Sequence, residues 1–416
     1  MTANRSRLTA DDVRTMWKRA VYTHLDDKGR VLKANAPDAT VGGRAFLRGL
    51  ARETMARREE FDTAQLRDIG WASGRLWFSD AELMAMVKGG LVAALAEGRI
   101  PVTETIPVIW ALAQSGNYPQ EVLDALVEMG GERIGELNAQ NCTNLLWAMA
   151  FSGYHPGDAF LGLLCDTALA RFDDSPKSVI AQTVSDMLWA CGRLGHPEPG
   201  KVAGRCVDWA RPRMGSFTAG ELVAAVQGLA MMGALERGDM ERACRRFQKL
   251  LAKVAMPSVA LDRVVALTML FPGEERAELQ GLLFGESRDR LRKEREVWQA
   301  EVAHRMRTNS FITSISAQLE ELSIYHQVGS VLGGGQLAVE LLVEKEGRMH
   351  GLVPVHSMSV NRNGGSIVLG EVGLARRLLE AQELPIAGLI SMAEWDRCKD
   401  DQDVKKRLVQ RAVEGG

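Results

Sequence analysis

Thr143–His155 reads TNLLWAMAFSGYH, and this stretch decides the fold. In helical spacing Leu145, Trp147 (or Ala148) and Phe151 share one face, and Gly153 follows as a residue free to adopt a positive φ and end the helix. The pattern recurs in Ile106–Tyr118, IPVIWALAQSGNY, in Val184–His196, VSDMLWACGRLGH, and in Leu222–Ala234, LVAAVQGLAMMGA. In each a glycine stands six residues after the anchor: Gly116 after Trp110, Gly153 after Trp147, Gly195 after Trp189 and Gly233 after Gln227. The glycines are 37, 42 and 38 residues apart, a near-constant period that marks a repeat. Two weaker copies, LRDIGWASGRL with Gly74 and VVALTMLFPGE with Gly273, extend the series to six columns.

Between the anchors runs a second apolar periodicity, as in Val122, Leu123, Leu126 and Val127, or Phe160, Leu161, Leu164 and Leu169. Each unit therefore reads as a helix, a short turn and a second helix. One such pair cannot bury both of its apolar faces, so neighbours must stack, and a mainly α chain built as an α-solenoid of repeats of about 40 residues is expected. A large ring repeated at one register is what an inter-repeat interface needs, so the tryptophan column is expected in the core.

The composition is that of a globular chain: 46% apolar and 25% charged residues, with no apolar run long enough to span a bilayer. Six scattered cysteines form no CxxC pair, which argues against a disulfide framework or a zinc site and for buried, reduced thiols. The net charge of −2 is unevenly spread. Residues 1–60 hold 13 Lys and Arg against 8 Asp and Glu, residues 61–285 hold 20 against 26, and the remainder holds 18 against 19. Bulk charge therefore does not announce a nucleic-acid binder. The first residues are mildly basic and carry no signal-peptide core, while Asp11 and Asp12 interrupt a clean transit-peptide pattern.

After Gly285 the pattern changes. Glu286–Thr308 is a highly charged helix of mixed sign, read as a linker with a solvated face. SFITSISAQLEEL then reads as an amphipathic helix. Gln336–Gly347 and Met349–Val360 read as two strands joined by a tight turn at Glu346-Gly347. A helix at VGLARRLLEAQ, a strand at LPIAGLISMAEW and a closing helix at DVKKRLVQRAV complete a small α/β unit. Gly333-Gly334-Gly335 precedes no helix of a βαβ unit and reads as a loop, and Asn361–Gly365 reads as a turn cluster.

The Leu-Trp-Ala core followed by a Gly-Tyr or Gly-His step, at Trp147–His155 and Trp189–His196, resembles the helical repeats of octotricopeptide-repeat and FAST-kinase-domain proteins of organelles. The resemblance covers roughly residues 60–275. The C-terminal unit resembles the RAP domain that accompanies such repeats. The match lies at Gly370, Arg376, Arg377, Leu378 and Leu379, then Ile386–Met392, Glu394 and Trp395, then Lys405 and Lys406. The resemblance implies a restriction-endonuclease-like fold. A nuclease of that kind gathers carboxylates from two strands around Mg²⁺. The first strand offers Glu340, Glu344 and Glu346 with Lys345, but the second reads Leu352-Val353-Pro354-Val355-His356 and offers none. No catalytic residue, metal or cofactor is therefore expected.

The expected domains are a basic extension over 1–60, a helical-repeat array over 61–285, a charged linker over 286–308 and a RAP-like α/β domain over 309–416. With the resemblance, the expected function is a non-catalytic RNA-binding protein of an organelle, foremost the mitochondrial matrix. Its partners would be rRNA or an organellar transcript and ribonucleoprotein proteins, with no membrane. The alternatives are a HEAT-like protein-binding scaffold and a metal-dependent RNA endonuclease. Phosphate contacts would come from Arg205, Arg211 and Arg213, and from Arg242, Arg245, Arg246, Lys249 and Lys253, mostly at i, i+3, i+4, i+7 spacing on one helix face. A second surface would comprise Arg376, Arg377, Lys405, Lys406, Arg407 and Arg411.

Overall fold

A computed structural model describes residues 8–23, 41–174, 177, 179–251, 258–285, 288–332, 337–356, 359 and 369–414. Lys253, Gly333–Gly335 and the turn cluster at 361–365 lie outside them. The described chain is mainly helical and ends in a four-stranded sheet. It divides into two compact units, Met1–Thr183 and Val184–Gly416.

The first unit is built of helix pairs: α1 (Ala10–Tyr22) with α2 (Val41–Ala56), α3 (Thr63–Arg75) with α4 (Ala81–Ala96), α5 (Val102–Gln114) with α6 (Gln120–Glu128), and α7 (Ala139–Ser152) with α8 (Asp158–Asp174). The segment expected to be a basic extension thus supplies a helix pair of its own. Trp17 of α1 is fully buried and its Nε1 donates to Thr54 of α2 at 3.0 Å. First helices pack on first helices, α1 on α3, α3 on α5 and α5 on α7, while α2 and α6 flank α4.

The expected glycines explain how α5 and α7 end. Gly116 and Gly153 have φ of 79° and 67°, and the amide of the next residue reaches back to the last turn: Asn117 to Leu112 O at 2.9 Å and Tyr154 to Met149 O at 2.8 Å. The copy around Gly74 differs. Its left-handed residue is Trp77, at φ 55°, followed by Phe78 N donating to Ser73 O. Gly74 instead lies three residues before the turn, where a Cβ would stand 2.5 Å from the Ala111 backbone of the next first helix. The small residues of the motif are therefore there for close approach between helices.

The tryptophan column departs from expectation. Leu145, Leu146 and Ala148 are buried, but Trp71, Trp110, Trp147 and Phe151 are half-exposed. Trp110 and Trp147 are 5.7 Å apart between ring centroids, and Trp147 stacks on Phe151 at 4.6 Å. The rings are an edge between repeats, because the Ala and Gly positions beside them already fill the space between the helix axes.

The second unit continues the pattern with α9 (Ala181–Leu194, all but its first three residues), α10 (Pro199–Ala210), α11 (Ala219–Met231), α12 (Arg237–Leu251), α13 (Ser258–Thr268) and α14 (Gly273–Phe284). Gly195 and Gly233 have φ of 72° and 69°, and a Cβ on Gly228 would lie 2.4 Å from the Leu188 backbone. Gly273 does not end a helix; it begins α14, preceded by Pro272.

Next come α15 (Arg288–Thr308), α16 (Ser310–Glu321), β1 (His326–Leu332), β2 (Leu337–Lys345), β3 (Arg348–Val355), α17 (Gly370–Glu380), β4 (Ile386–Ser391), α18 (Met392–Arg397) and α19 (Gln402–Glu414). The strand order is β1-β2-β3-β4; β1–β2 and β2–β3 are antiparallel and β3–β4 parallel. The β2–β3 turn is where the sequence placed it, with Glu346 and Gly347 both at positive φ, as a two-residue hairpin of this twist requires. β1 was not read from the sequence: its alternation is broken by Gly329, at φ 64°, where a Cβ would lie 2.8 Å from Ala303 O of α15. Nor is α15 wholly solvated, since Gln299 and Ala303 are buried. The expected second strand stops at Val355, and the expected last strand stops at Ser391, where α18 begins.

One core joins Ile315 and Leu319 of α16, Leu341, Val343 and Leu352 of the sheet, Trp395, and Val409 and Val413 of α19. The other face of the sheet, with Val339, Leu342, Val353 and Val355, packs on Val372 and Leu379 of α17. α17 also lies across the ends of three first helices. Gly370 meets Gly192 O, where a Cβ would stand only 2.0 Å away. Glu371 pairs with Arg193 of α9, Arg377 donates to Ala230 O and Met231 O of α11, and Gln382 donates to Met269 O just after α13.

Candidate nucleic-acid interface

The positions named from sequence fall into three groups. The first is paired with acceptors of the chain itself, although the side chains of Arg211 and Arg242 stay 38% and 41% exposed. Arg211 Nε and Arg242 Nη2 each reach Asp239 Oδ1 at 3.1 Å, and Asp239 is buried. Arg211 also pairs with Glu236 at 3.3 Å, and these carboxylates hold its guanidinium above the ordinary value. Arg246 donates to Phe217 O at 3.2 and 3.0 Å. Arg377 donates to two carbonyls of the last turn of α11, where a cation meets the negative end of the helix. Burial lowers the pKa of Arg377. These residues tie neighbouring helices together, because the five N–H donors of a guanidinium can satisfy several oxygens at once.

The second group is exposed but scattered: Arg205 on α10, Arg213 against the Trp209 ring at 4.7 Å, Arg245 and Lys249 one turn apart on α12, and Arg376 paired with Glu380 at 3.0 Å. The third group converges. Arg407 and Arg411, four residues apart on α19, line an open pocket of about 560 Å³ with Arg397 of α18. Cys398 and Leu408 also line it, and Glu394 and Asp401 stand at its wall. Lys405 lies over the Trp395 ring at 5.4 Å, and Lys406 pairs with Glu321 at 3.6 Å. Arg397 had no signal in the sequence; only the turn between α18 and α19 brings it beside the α19 arginines. The grouping matters because several arginines lining one cavity can share one anion, with Arg411 Nη2 3.9 Å from Glu394 and Arg397 Nε donating to Ala393 O at 3.2 Å.

The carboxylates of the sheet do not converge. Glu340 Oε1 lies 3.0 Å from His356 Nε2, and that hydrogen bond raises the His356 pKa against the opposing effect of burial. Phe311 packs edge-on against the imidazole at 5.6 Å. Glu344 is exposed, Glu346 occupies the hairpin turn, and Lys345 Nζ donates to Glu414 O at 3.0 Å. Among the described residues no three His, Cys, Asp or Glu side chains are grouped so as to hold a metal. A Ser–His contact went unread in the sequence: Ser316 Oγ and His326 Nε2 are 2.6 Å apart. The other ring nitrogen meets Ile324 O, a backbone carbonyl, so the pair lacks the carboxylate that would complete a triad.

Burial quiets two of the thiols. Five cysteines are buried, and burial pushes Cys142 and Cys244 up to about 12. No helix of the described residues is long and apolar enough to cross a membrane. No protein-family model matches the chain, and no curated protein matches it in sequence.

Proposed function

We propose that this chain is a non-catalytic RNA-binding protein in which a solenoid-type helical array carries a RAP-type, restriction-endonuclease-like module. The observation that carries the reading is the convergence of Arg397, Arg407 and Arg411 on one open pocket of the module. Its lining of three arginines against Glu394 and Asp401 suits phosphate groups of a nucleic-acid backbone, a contact that is sequence-independent and salt-sensitive. The engagement of Glu340 by His356, with no carboxylate on β3 opposite it, favours holding RNA over cutting it. The resemblance of the repeats and the module to organellar proteins supports a mitochondrial setting, as a processing or stabilising factor or a ribosomal component that touches rRNA at one patch.

A second reading, a protein-binding scaffold, is favoured by the array itself. Its acidic balance and the engagement of Arg211, Arg242 and Arg246 leave it poorly suited to a polyanion. Filter binding of total organellar RNA to the wild type and to Arg407→Ala/Arg411→Ala across a salt series separates the two. The RNA reading expects binding at low salt, with a shallower salt slope in the double variant by about 1–2. No binding at low salt sinks it and leaves the scaffold.

A further inference from the structure

The arginine pocket of the module is larger and chemically more mixed than a contact to one backbone phosphate needs. Its volume of about 560 Å³ falls within the range of small-molecule sites, about 300–1,000 Å³, and holds much more than a phosphate group. Its cations still have donors to give. Among the described residues Arg407 makes no hydrogen bond or ion pair. Arg397 spends only its Nε, on Ala393 O, and keeps both terminal nitrogens. Arg411 Nη2 stands 3.9 Å from Glu394, beyond hydrogen-bond distance, on a side chain 65% exposed.

The other lining groups decide what the anion belongs to. Asp401 Oδ1 accepts from Val404 N at 3.0 Å, which caps α19, and its second oxygen is left for a further donor. Glu394 is likewise an acceptor in need of donors, since ionised carboxylates donate nothing. A strand threading past with one phosphate after another would bring negative charge against both. A strand end does not. Its 5′ phosphate is a monoester, with three acceptor oxygens and a charge of about −1.5 to −2 at pH 7. A phosphate inside the strand has one charge and two free oxygens, fewer than three guanidiniums can use. The first nucleotide also brings ribose hydroxyls for the carboxylates and an apolar sugar and base edge for Val404 and Leu408. One chemical unit thus matches all three kinds of lining group.

We infer that the pocket holds the 5′-phosphorylated end of an RNA strand, with the terminal phosphate shared by Arg397, Arg407 and Arg411 and the first ribose donating to Glu394 or Asp401. The inference rests on the RNA-binding reading and narrows it, because the module then recognises an end and not any stretch of backbone.

The probes are short single-stranded RNAs of one sequence, labelled at the 3′ end and carrying a 5′ phosphate, a 5′ hydroxyl, or a 5′ phosphate on a 2′-deoxy first nucleotide. Each is titrated with the full-length protein and followed by fluorescence anisotropy. The phosphorylated strand is expected to bind about tenfold or more tightly than the hydroxyl strand, and about threefold more tightly than the 2′-deoxy strand. Arg407→Ala/Arg411→Ala should erase the preference for the phosphate. Arg407→Lys/Arg411→Lys keeps the charge and should still lose most of the preference, because an ammonium lacks the bidentate fork. Equal binding of the phosphate and hydroxyl strands overturns the inference and leaves the RNA reading standing, whereas no binding of any strand at low salt overturns both. A preference that survives in the double alanine variant overturns it too, since the phosphate would then be held elsewhere. So does uridine 5′-monophosphate that binds as tightly as the strand, because the pocket would then belong to a free nucleotide.

Discussion

At the ends of α11 and α13, α17 and the turn after it meet backbone carbonyls, and α17 pairs with Arg193 of α9; along α3, α5 and α7, Trp71, Trp110 and Trp147 stand half-exposed, as Trp189 of α9 does too. Both edges come from one repeated pattern, with the same small residues beside the helix axes and the same left-handed turns. The difference lies in what covers the last turn. Four carbonyls at each helix end need partners. The Schellman amides satisfy some, and on α11 Arg377 adds its donors to carbonyls that the first unit leaves to its own turns. A repeat thus specifies its neighbour through backbone proximity and leaves its outer edge to be assigned by other parts of the chain.

The largest expected effect comes from removing the close approach that lets α17 lie on its edge. In Gly370→Val the Cβ would overlap Gly192 O. A loss of about 2–3 kcal/mol is expected in denaturant unfolding, with faster amide exchange in α17 and unchanged exchange in α3 and α5. Uniform loss across both edges would break the comparison. Next is Arg377→Ala, which strips the donors from Ala230 O and Met231 O and should destabilise by about 1–3 kcal/mol. Arg377→Lys should recover only part of this, because an ammonium cannot span two carbonyls as the fork does.

Smaller still are the turns. Gly153→Ala places a Cβ at φ 67° and should cost about 1 kcal/mol in thermal or urea melts. The complementary change, Trp77→Gly, relieves a residue already at φ 55° and should stabilise the backbone by about 1 kcal/mol or less. If Trp77→Gly is instead strongly destabilising, the exposed ring matters more to the first edge than its backbone does.

The smallest effect is a pH dependence in the module. His356 holds its proton more tightly than a free histidine because Glu340 accepts from it. A raised pKa in the folded state means that the stabilisation is complete below the ordinary value of 6.5 and is lost as the pH rises through the higher folded value. The module should therefore melt at lower temperature as the pH rises above 6.5, and His356→Gln should flatten that trend.

The helix pairs, their period and four of the left-handed glycines were legible because one residue type is required at one register. The β2–β3 turn was legible for the same reason, since Glu346-Gly347 is a short polar break between apolar runs. Gly74 and Gly273 misled because glycine serves two ends: it permits a turn, and it lets another backbone approach or a helix begin. β1 was hidden because Gly329 interrupts its alternation to make room for α15. Among the arginines, charge and spacing marked a helix face but could not tell Arg246, spent on Phe217 O, from Arg407, which faces an open pocket. Local pattern determined which segments are helices and where each stops, because capping and periodicity act within a few residues. Which cations stay available, which edge receives α17 and which arginines share a cavity were decided only by the tertiary structure, because a guanidinium goes wherever folding leaves oxygens unsatisfied.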